Sequence, residues 1–322
     1  MGGCPYVSLL HSMIVQNLGR ILISGASGLI GSALIAALEQ RDYAVTRLKR
    51  NPCAGGNELA WDSSRVLPPE LVSGFEAVIH LAGEPVAARW TAAKKKAILD
   101  SRVVGTRHLS EALAHAPQPP RVLISASAIG YYGNDGDEIA NESSPSGEGF
   151  LPEVCRQWEA ATRPASDAGI RTVQVRIGVV LSVKGGVLKE MLTPFRIGFG
   201  AQIGKGQQWM SWIHIEDLIG AILCILNNDR LEGPVNLVTP APVRNSEFTK
   251  TLASVLQRPA IFRIPAFALR MIFGDMADEV LLASQRVEPE KLIRSEFDFK
   301  YANLRSALQE ILGRAKRDFF GH

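Results

Sequence analysis

The sequence has few cysteines and no long uninterrupted apolar run. Its four cysteines, Cys4, Cys53, Cys155 and Cys224, lie far apart, and none belongs to a C-x-x-C pair. This scatter favours reduced thiols over a disulfide framework or a zinc site, so we expect no metal and a cytoplasmic location. No apolar run approaches the roughly 18 residues that a membrane-spanning helix needs, and we therefore expect no membrane partner.

An excess of charge of one sign is also missing. The 35 basic and 32 acidic residues give a formal net charge of +3, and the two signs are mixed along the 322 residues. Because there is no basic stripe, we expect no nucleic-acid partner. With 46% hydrophobic and 21% charged residues, the composition is that of an ordinary globular protein.

A strand, a tight turn and a helix are predicted from residue 20 onward. The apolar segment 20–24 runs into Gly25, Gly28 and Gly31, and an apolar helical pattern follows at once. Glycines at this spacing permit the turn, let backbone N–H groups approach a pyrophosphate, and let the helix pack on the strand. The alternative is an ordinary strand-to-helix turn. The predicted dinucleotide contacts in this segment are Gly25, Ser27, Gly28, Leu29, Ile30 and Gly31.

Three basic residues stand at the end of the next predicted strand, 43–48. In a dinucleotide fold this point meets the adenosine ribose, where an acid accepts from a free 2′-hydroxyl and a basic residue pairs with a 2′-phosphate. The sequence has no acid here but has Arg47, Lys49 and Arg50. It therefore favours NADP over NAD, with the planar fork of Arg50 as the principal ligand. A solvated basic turn is the alternative.

Strands and helices continue to alternate along the chain, which is typical of a Rossmann-type, doubly wound parallel sheet of the α/β class. We predict an N-terminal extension at 1–19, an NADP-binding domain at 20–183, and a smaller, mostly helical, substrate-facing part at 184–322. A later strand at 234–238 is expected to return to the sheet. The other predicted elements are strands at 59–62, 77–83, 121–127 and 172–181, helices at 89–114 and 151–168, and a loop at 134–149 that is a candidate lid.

Further site residues are predicted at the ends of these strands. Small residues after the strand at 77–83 admit a ligand, and Glu84 beyond them is either a carboxylate base or an exposed or paired acid. Asp62 is a candidate for contact with the adenine. The other predicted cofactor contacts on these strands are Leu81, Ala82, Gly83, Ser125 and Arg176.

Several motifs together resemble the extended short-chain dehydrogenase/reductases, the nucleotide-sugar epimerase and dehydratase group. They are Gly25-x-x-Gly28-x-x-Gly31, Leu81-Ala82-Gly83, Ser127 with tyrosines beyond it, and Trp212-Ile213-His214-x-x-Asp217. More narrowly, the chain is similar to the atypical sugar-nucleotide epimerase subfamily, also called cell-division-inhibitor-like proteins. The motifs that carry this similarity are Ala82-Gly83-Glu84, Arg89-Trp90-Thr91, Ser101-Arg102, Ser211-Trp212-Ile213-His214 and Ser284-Gln285-Arg286-Val287.

The resemblance spans about residues 20 to 312 and carries several implications. It implies an NADP-binding protein with a small-molecule substrate, for which a nucleotide sugar is a candidate. It also implies a C-terminal domain of unknown function at about 259–312. A homodimer formed through the helices at 94–114 and 151–168 is plausible on the same ground.

One departure from the family stands out. In the superfamily a Tyr-x-x-x-Lys pair on the helix after the lid performs the proton chemistry. Aligning Glu159 with the acid that usually follows that lysine puts Leu151 and Cys155 at the two positions, and no Tyr-x-x-x-Lys occurs anywhere in the sequence. The sequence therefore leaves two functions open: an NADP-dependent oxidoreductase or epimerase, and a binding protein that senses NADP(H) and has lost its chemistry.

The candidates to replace the missing pair lie on other elements. The resemblance places Ser127 at the position that polarises the substrate. Tyr131 and Tyr132 follow, and their hydroxyls either bind a substrate oxygen or their rings line the cofactor pocket. Arg102 falls where the family usually has an asparagine above the cofactor, which favours a phosphate or substrate anion as its ligand.

Overall fold

The computed structural model describes residues 19–51 and 57–320, with side chains as far as residue 313. Residues 1–18 of the predicted extension, with Cys4, and also Cys53 therefore lie outside the described residues. The strands are β1 (Arg20–Ser24), β2 (Ala44–Lys49), β3 (Glu58–Ala60), β4 (Ala77–His80), β5 (Val122–Ala128), β6 (Ile139–Ala140), β7 (Arg171–Ile177), β8 (Val179–Leu181), β9 (Ala201–Ile203), β10 (Trp209–Met210), β11 (Trp212–His214), β12 (Gly233–Leu237), β13 (Val243–Arg244), β14 (Phe262–Ile264) and β15 (Arg286–Val287).

The helices alternate with these strands. They are α1 (Leu29–Glu39), α2 (Ala92–Ala114), α3 (Phe150–Ala160), α4 (Arg163–Asp167), α5 (Gly186–Arg196), α6 (Ile215–Asn227), α7 (Asn245–Leu256), α8 (Ala266–Phe273), α9 (Glu290–Arg294) and α10 (Leu304–Phe320). Short 3-10 turns at Pro69–Val72 and Ile129–Tyr132 and a π-turn at Ala277–Leu281 complete the described structure. Within the described ranges, no helix is long and apolar enough to cross a bilayer, and no cluster of side chains is suited to holding a metal ion.

Seven strands form one parallel sheet in the order β12-β7-β5-β4-β1-β2-β3. The chain runs outward from β1 through β2 to β3, then crosses to the other side and continues through β4, β5, β7 and β12. The strand order therefore reverses between β1 and β4, and in a doubly wound sheet ligands bind at the carboxyl ends of the strands beside that reversal. The predicted fold class is confirmed, and the strand expected at 234–238 is present as β12.

Two layers of helices bury the sheet on both faces. α1 and α6 pack on one face and α2 and α4 on the other, so Ile21, Leu22 and Ile23 of β1 are all fully buried. This double burial explains why the central strands are apolar along their whole length instead of alternating. A separate core forms between α5, α7 and α10 around Trp212, Phe248 and other apolar side chains.

Two predicted elements are each divided in the structure. The strand predicted at 172–181 breaks at Gly178, because the backbone there approaches Ser211 so closely that an added Cβ would lie 2.7 Å from its carbonyl oxygen. The second half, β8, leaves the main sheet and pairs with β11. The helix predicted at 151–168 divides into α3 and α4, with Pro164 in the first turn of α4, a position that tolerates proline where a helix interior does not.

Candidate cofactor site

A cleft of about 580 Å³ opens at the carboxyl ends of β1, β2 and β4, beside the reversal of strand order. Turns after these strands supply most of its walls, and α2 adds one residue. The lining residues are Gly25, Ala26, Ser27, Gly28, Leu48, Lys49, Arg50, Asn51, Trp61, Ser63, Leu81, Ala82, Gly83, Glu84 and Ser101.

The glycine turn forms one wall of this cleft. Gly25 has a φ of +72°, in the left-handed region, and a Cβ added at Gly31 would lie 2.2 Å from the Gly25 carbonyl oxygen, so both positions require glycine. Gly28 precedes α1, and this end of the helix has no side-chain cap and no acidic residue in its first turn. The N–H groups of Leu29 and Ile30 therefore have no intrahelical partner and can bind an anion. Such a cradle fits a pyrophosphate.

The basic residues after β2 lie at the second wall. Lys49 and Arg50 both line the cleft, and Lys49 pairs with Glu58 at 2.5 Å. The exposed Arg50 side chain forms no hydrogen bond or ion pair with any residue that the structure describes. Arg47 is not among the lining residues, because its guanidinium turns to Glu39 on α1 at 2.9 Å. Of the three predicted phosphate ligands, the structure thus brings two to the cleft.

Trp61 and Ser63 line the cleft beyond β3 and were not predicted from the sequence. The Trp61 side chain is buried, and its Nε1 has no hydrogen-bond partner among the described residues. Its ring packs edge-to-face on that of His80, with centroids 5.6 Å apart. Asp62, the residue predicted to reach the adenine, accepts hydrogen bonds from the Ser64 backbone and hydroxyl instead. The sequence feature that could have predicted this contact is the aromatic residue directly after the third strand.

The turn after β4 is braced from α2. Ser101 Oγ accepts a hydrogen bond from the Glu84 N–H at 3.1 Å, and Arg102 Nη1 donates to the Glu84 carbonyl at 2.9 Å. A Cβ at Gly83 would lie 3.3 Å from the Arg102 guanidinium carbon, which itself lies over the Trp158 ring. Burial lowers the pKa of Arg102. This side chain therefore supports the turn from behind and is not itself a lining residue.

The Glu84 carboxylate faces the cleft but is already paired. It accepts a hydrogen bond from Lys94 Nζ at 2.7 Å, and this bond lowers the pKa of Glu84 although burial opposes the shift. The charges of Lys94, Arg102 and Arg50 lower the pKa further. A carboxylate whose ionised form is stabilised in this way is a weaker base than an isolated one.

A buried polar chain lies beneath the cleft. His80 Nδ1 meets Ser24 Oγ at 2.5 Å and His80 Nε2 meets Thr106 Oγ1 at 2.9 Å, while Trp158 Nε1 donates to the same threonine. Complete burial lowers the pKa of His80 to about 4, so the ring is neutral at physiological pH. Ser125, a predicted cofactor contact, is also buried, on β5 opposite His80. These contacts fix the strand ends that carry the cleft.

A second polar cluster lies at the ends of β5 and β7 and is centred on Arg176. Glu159 of α3 accepts bonds from Arg176 Nε and Nη2, both at 2.8 Å, and from Ser127 Oγ at 2.7 Å. Although burial opposes it, the pairing with Glu159 raises the pKa of Arg176 above its usual value. Arg176 is thus engaged with Glu159, and neither it nor Ser127 lines the cleft.

The two tyrosines of the 3-10 turn Ile129–Tyr132 meet this cluster in different ways. Tyr132 accepts from Arg176 Nη1 at 2.9 Å and donates to Asn236 at 2.8 Å, and burial raises the pKa of Tyr132 to about 12. Tyr131 presents the face of its ring to the Arg176 guanidinium, 3.5 Å from the ring centroid. The Tyr131 residue is half-buried, and its hydroxyl makes no hydrogen bond to a residue that the structure describes. Tyr131 is therefore the tyrosine with a hydroxyl free for a ligand.

The α3 residues that resemblance assigns to the missing pair face the same turn. A Cβ at Gly130 would lie 3.5 Å from Leu151 Cβ and 3.8 Å from Cys155 Sγ. Burial raises the pKa of Cys155 to about 12, so its thiol remains protonated and unreactive.

His214 ends β11 and Asp217 lies in the first turn of α6. Both contact residues that lie just before α10 or within it. Asp217 accepts from the N–H groups of Lys300 and Tyr301 at 3.1 and 3.0 Å. The His214 ring stacks on Tyr301 with centroids 3.9 Å apart, and its Nε2 meets Glu310 at 3.0 Å. These are contacts between elements, away from the cleft.

The sequence matches two protein-family models. The model of the NAD dependent epimerase/dehydratase family matches residues 21–237, and that of a domain of unknown function (DUF1731) matches residues 264–311. An epimerase family protein of Mycobacterium bovis is 44% identical over 290 residues, 89% of this chain and 96% of its own. The bovine epimerase family protein SDR39U1 is 36% identical over 298 residues, 91% of this chain and 99% of its own.

A solved structure is similar over nearly the same length. It is that of the human epimerase family protein SDR39U1 (isoform 2) with NADPH, which matches with a TM-score of 0.84 and 35% identity. The match covers 91% of this chain and 99% of the human one.

Proposed function

Because this chain belongs to the NAD dependent epimerase/dehydratase family, we propose that it is an NADP(H)-binding epimerase or oxidoreductase with a small-molecule substrate. The observation that carries the proposal is the cleft beside the strand-order reversal. A glycine cradle that fits a pyrophosphate and Arg50, which pairs with no described residue, lie on adjacent walls of this cleft. The human relative solved with NADPH supports the same choice of cofactor.

The residues of the cleft divide into three groups by what they would hold. The N–H groups of Leu29 and Ile30 would bind the pyrophosphate at the start of α1, where the helix dipole favours negative charge. Arg50, with Lys49 beside it, would bind the 2′-phosphate. Trp61 and Ser63 would lie against the adenine.

The reaction also needs a general acid or base that transfers a proton. When bound, the nicotinamide supplies or accepts a hydride at a substrate carbon. We assign the proton at the neighbouring substrate oxygen to the Tyr131 hydroxyl, because it is unpaired among the described residues and because the fixed charge of Arg176 lies against the tyrosine ring. Tyr132 is excluded from this role by its buried bonds to Arg176 and Asn236. Glu159 holds Arg176 in place beneath Tyr131.

The cofactor is tested by isothermal titration of the purified protein with NADPH and with NADH. Arg50→Ala should weaken NADPH binding about 10- to 100-fold, the loss expected for one charge-assisted contact to a phosphate, and should leave NADH binding unchanged. Arg47→Ala is the matched control, because Arg47 is a neighbouring arginine that pairs with Glu39 outside the cleft. Equal affinity for NADPH and NADH in the wild type, or an equal loss in both variants, would refute the assignment.

A second candidate is an NADP(H)-sensing protein without turnover. Leu151 and the protonated, buried Cys155 favour it, since neither can move a proton at neutral pH. The two candidates differ in one observable. Oxidation of bound NADPH by any member of a panel of carbonyl compounds and nucleotide sugars, or conversion of a nucleotide sugar into its epimer with no net change in the cofactor, supports the enzyme. Tight binding selective for one redox form, with neither reaction across the panel, supports the sensor.

A further inference from the structure

Large apolar side chains are concentrated on one exposed part of the C-terminal half. Of 13 large hydrophobic residues that are exposed in the described structure, eight lie in the segments 197–199, 261–264 and 267–272. Their exposure runs from 37% for Ile264 to 78% for Ile261. We call this set the apolar face; its members are Ile197, Phe199, Ile261, Phe262, Ile264, Phe267, Met271 and Ile272.

These segments are joined to one another in the fold. β14 pairs in parallel with β9, and the rings of Phe199 and Phe262 stack with centroids 5.5 Å apart. α8 begins directly after β14, and Phe267 and Met271, four residues apart, share one side of that helix. The turn at Lys205 and the α8 residues Ala266 and Arg270 line a common cleft, so α8 also lies beside the end of β9. A large exposed apolar patch on a globular protein marks an interaction site.

The charge of the same segments is one-sided. Residues 191–208 and 257–274 contain no aspartate or glutamate, although the two signs are nearly balanced in the whole chain. Their basic residues are all exposed, and they are Arg196, Lys205, Arg258, Arg263 and Arg270. Arg270 pairs with Asp278, which lies outside both segments, and the other four form no ion pair with a described residue.

We propose that the apolar face docks this protein onto an anionic lipid surface. The exposed aromatic and aliphatic side chains would enter the boundary between headgroups and acyl chains, and the five basic residues would lie near the lipid phosphates, which is how monotopic surfaces combine apolar burial with charge attraction. A second copy of the chain is a poorer occupant. A two-fold contact through this face would set the four cations that have no described ion-pair partner on one copy against the same four on the other.

This docking is peripheral and involves no membrane-spanning helix. The sequence-based expectation of no membrane partner rested on the absence of a long apolar run, and the apolar face is instead assembled from three short segments that meet only in the fold. The proposal does not depend on which cofactor or substrate the protein binds.

The test is co-sedimentation of the full chain with vesicles of phosphatidylcholine alone and of equal parts phosphatidylcholine and phosphatidylglycerol. We expect binding to the anionic vesicles to be on the order of tenfold stronger or more. It should fall as salt rises, because the Debye length shrinks from about 10 Å at 0.1 M to about 3 Å at 1 M. Light scattering of the free protein measures its oligomeric state in parallel.

Matched variants distinguish binding through the apolar face from nonspecific adsorption to vesicles. Phe267→Ser with Met271→Ser, and separately Arg263→Glu, should each reduce binding to anionic vesicles at least about fivefold with unchanged melting temperature. Ile293→Ser and Arg230→Glu, an exposed apolar and an exposed basic residue elsewhere, are the controls and should bind as the wild type does. No binding to anionic vesicles, equal loss in test and control variants, or a dimer that Phe267→Ser with Met271→Ser dissociates would overturn the proposal.

Discussion

Replacement of Glu159 by glutamine tests the buried ion pair on which the Arg176 cluster depends. The carboxylate accepts two bonds from Arg176 and one from Ser127, and the two charged side chains are only 3% and 14% exposed. Glutamine keeps the size of the side chain, but it turns an NH2 group toward the guanidinium and leaves the buried cation without its counter-charge. Breaking one partner of such a pair costs about 3–5 kcal/mol, a large part of a typical total stability of about 5–15 kcal/mol.

Urea denaturation followed by tryptophan fluorescence measures this cost. The control is Glu153→Gln, which removes an exposed pair with Arg156 on the same helix and should change the free energy of unfolding by less than about 1 kcal/mol. Combining Glu159→Gln with Arg176→Met removes the stranded charge, so the double variant should be less destabilised than the sum of the two single variants. A cost below about 1 kcal/mol for Glu159→Gln, or additive single changes, would show that the pair does not organise this end of the sheet.

Three further predictions concern the cleft and its support. Gly31→Ala places a Cβ 2.2 Å from a backbone oxygen of the glycine turn and should cost about 1–3 kcal/mol by thermal unfolding and weaken NADPH binding. Gly313→Ala, whose Cβ would meet no described atom beyond its own stretch of α10, should cost nothing. The pKa of His80 is lowered to about 4 from 6.5, so the unfolded state binds its proton first as the pH falls. The contribution of His80 to the free energy of unfolding is complete above pH 6.5 and falls by about 3 kcal/mol as the pH drops towards 4. The urea midpoints of His80→Gln should lack this pH dependence. A pH profile unchanged from the wild type would refute the lowered pKa of His80. Tyr131→Phe should keep stability and NADPH binding but lower any turnover about 10²- to 10⁴-fold, while Tyr132→Phe should instead lower the melting temperature because it breaks two buried bonds.

The sheet and the phosphate cradle could be predicted from the sequence because both depend on local signals. Alternating strand and helix patterns fix a doubly wound sheet, and the spacing of Gly25, Gly28 and Gly31 reports a constraint that acts within seven residues. The same local reading predicted a phosphate-binding role for Lys49 and Arg50, both of which line the cleft.

The positions of the other predicted site residues depend on contacts between distant parts of the chain. Arg47 lies on the same strand as Lys49, but pairing with Glu39 on α1 takes it away from the cleft, and no local pattern reports that pair. Ser127 and Arg176 were predicted as separate site residues, and the structure joins them through Glu159, 32 and 17 residues away. The homodimer, the cytoplasmic location and the domain boundaries stay predictions.

The most direct test of the central claim is a crystal structure of this protein with NADPH. The account predicts the pyrophosphate on the N–H groups at the start of α1, the 2′-phosphate within hydrogen-bond distance of the Arg50 guanidinium, and the nicotinamide within reach of the Tyr131 hydroxyl. A dinucleotide that leaves Arg50 in solvent, or that places the nicotinamide away from Tyr131, would contradict it.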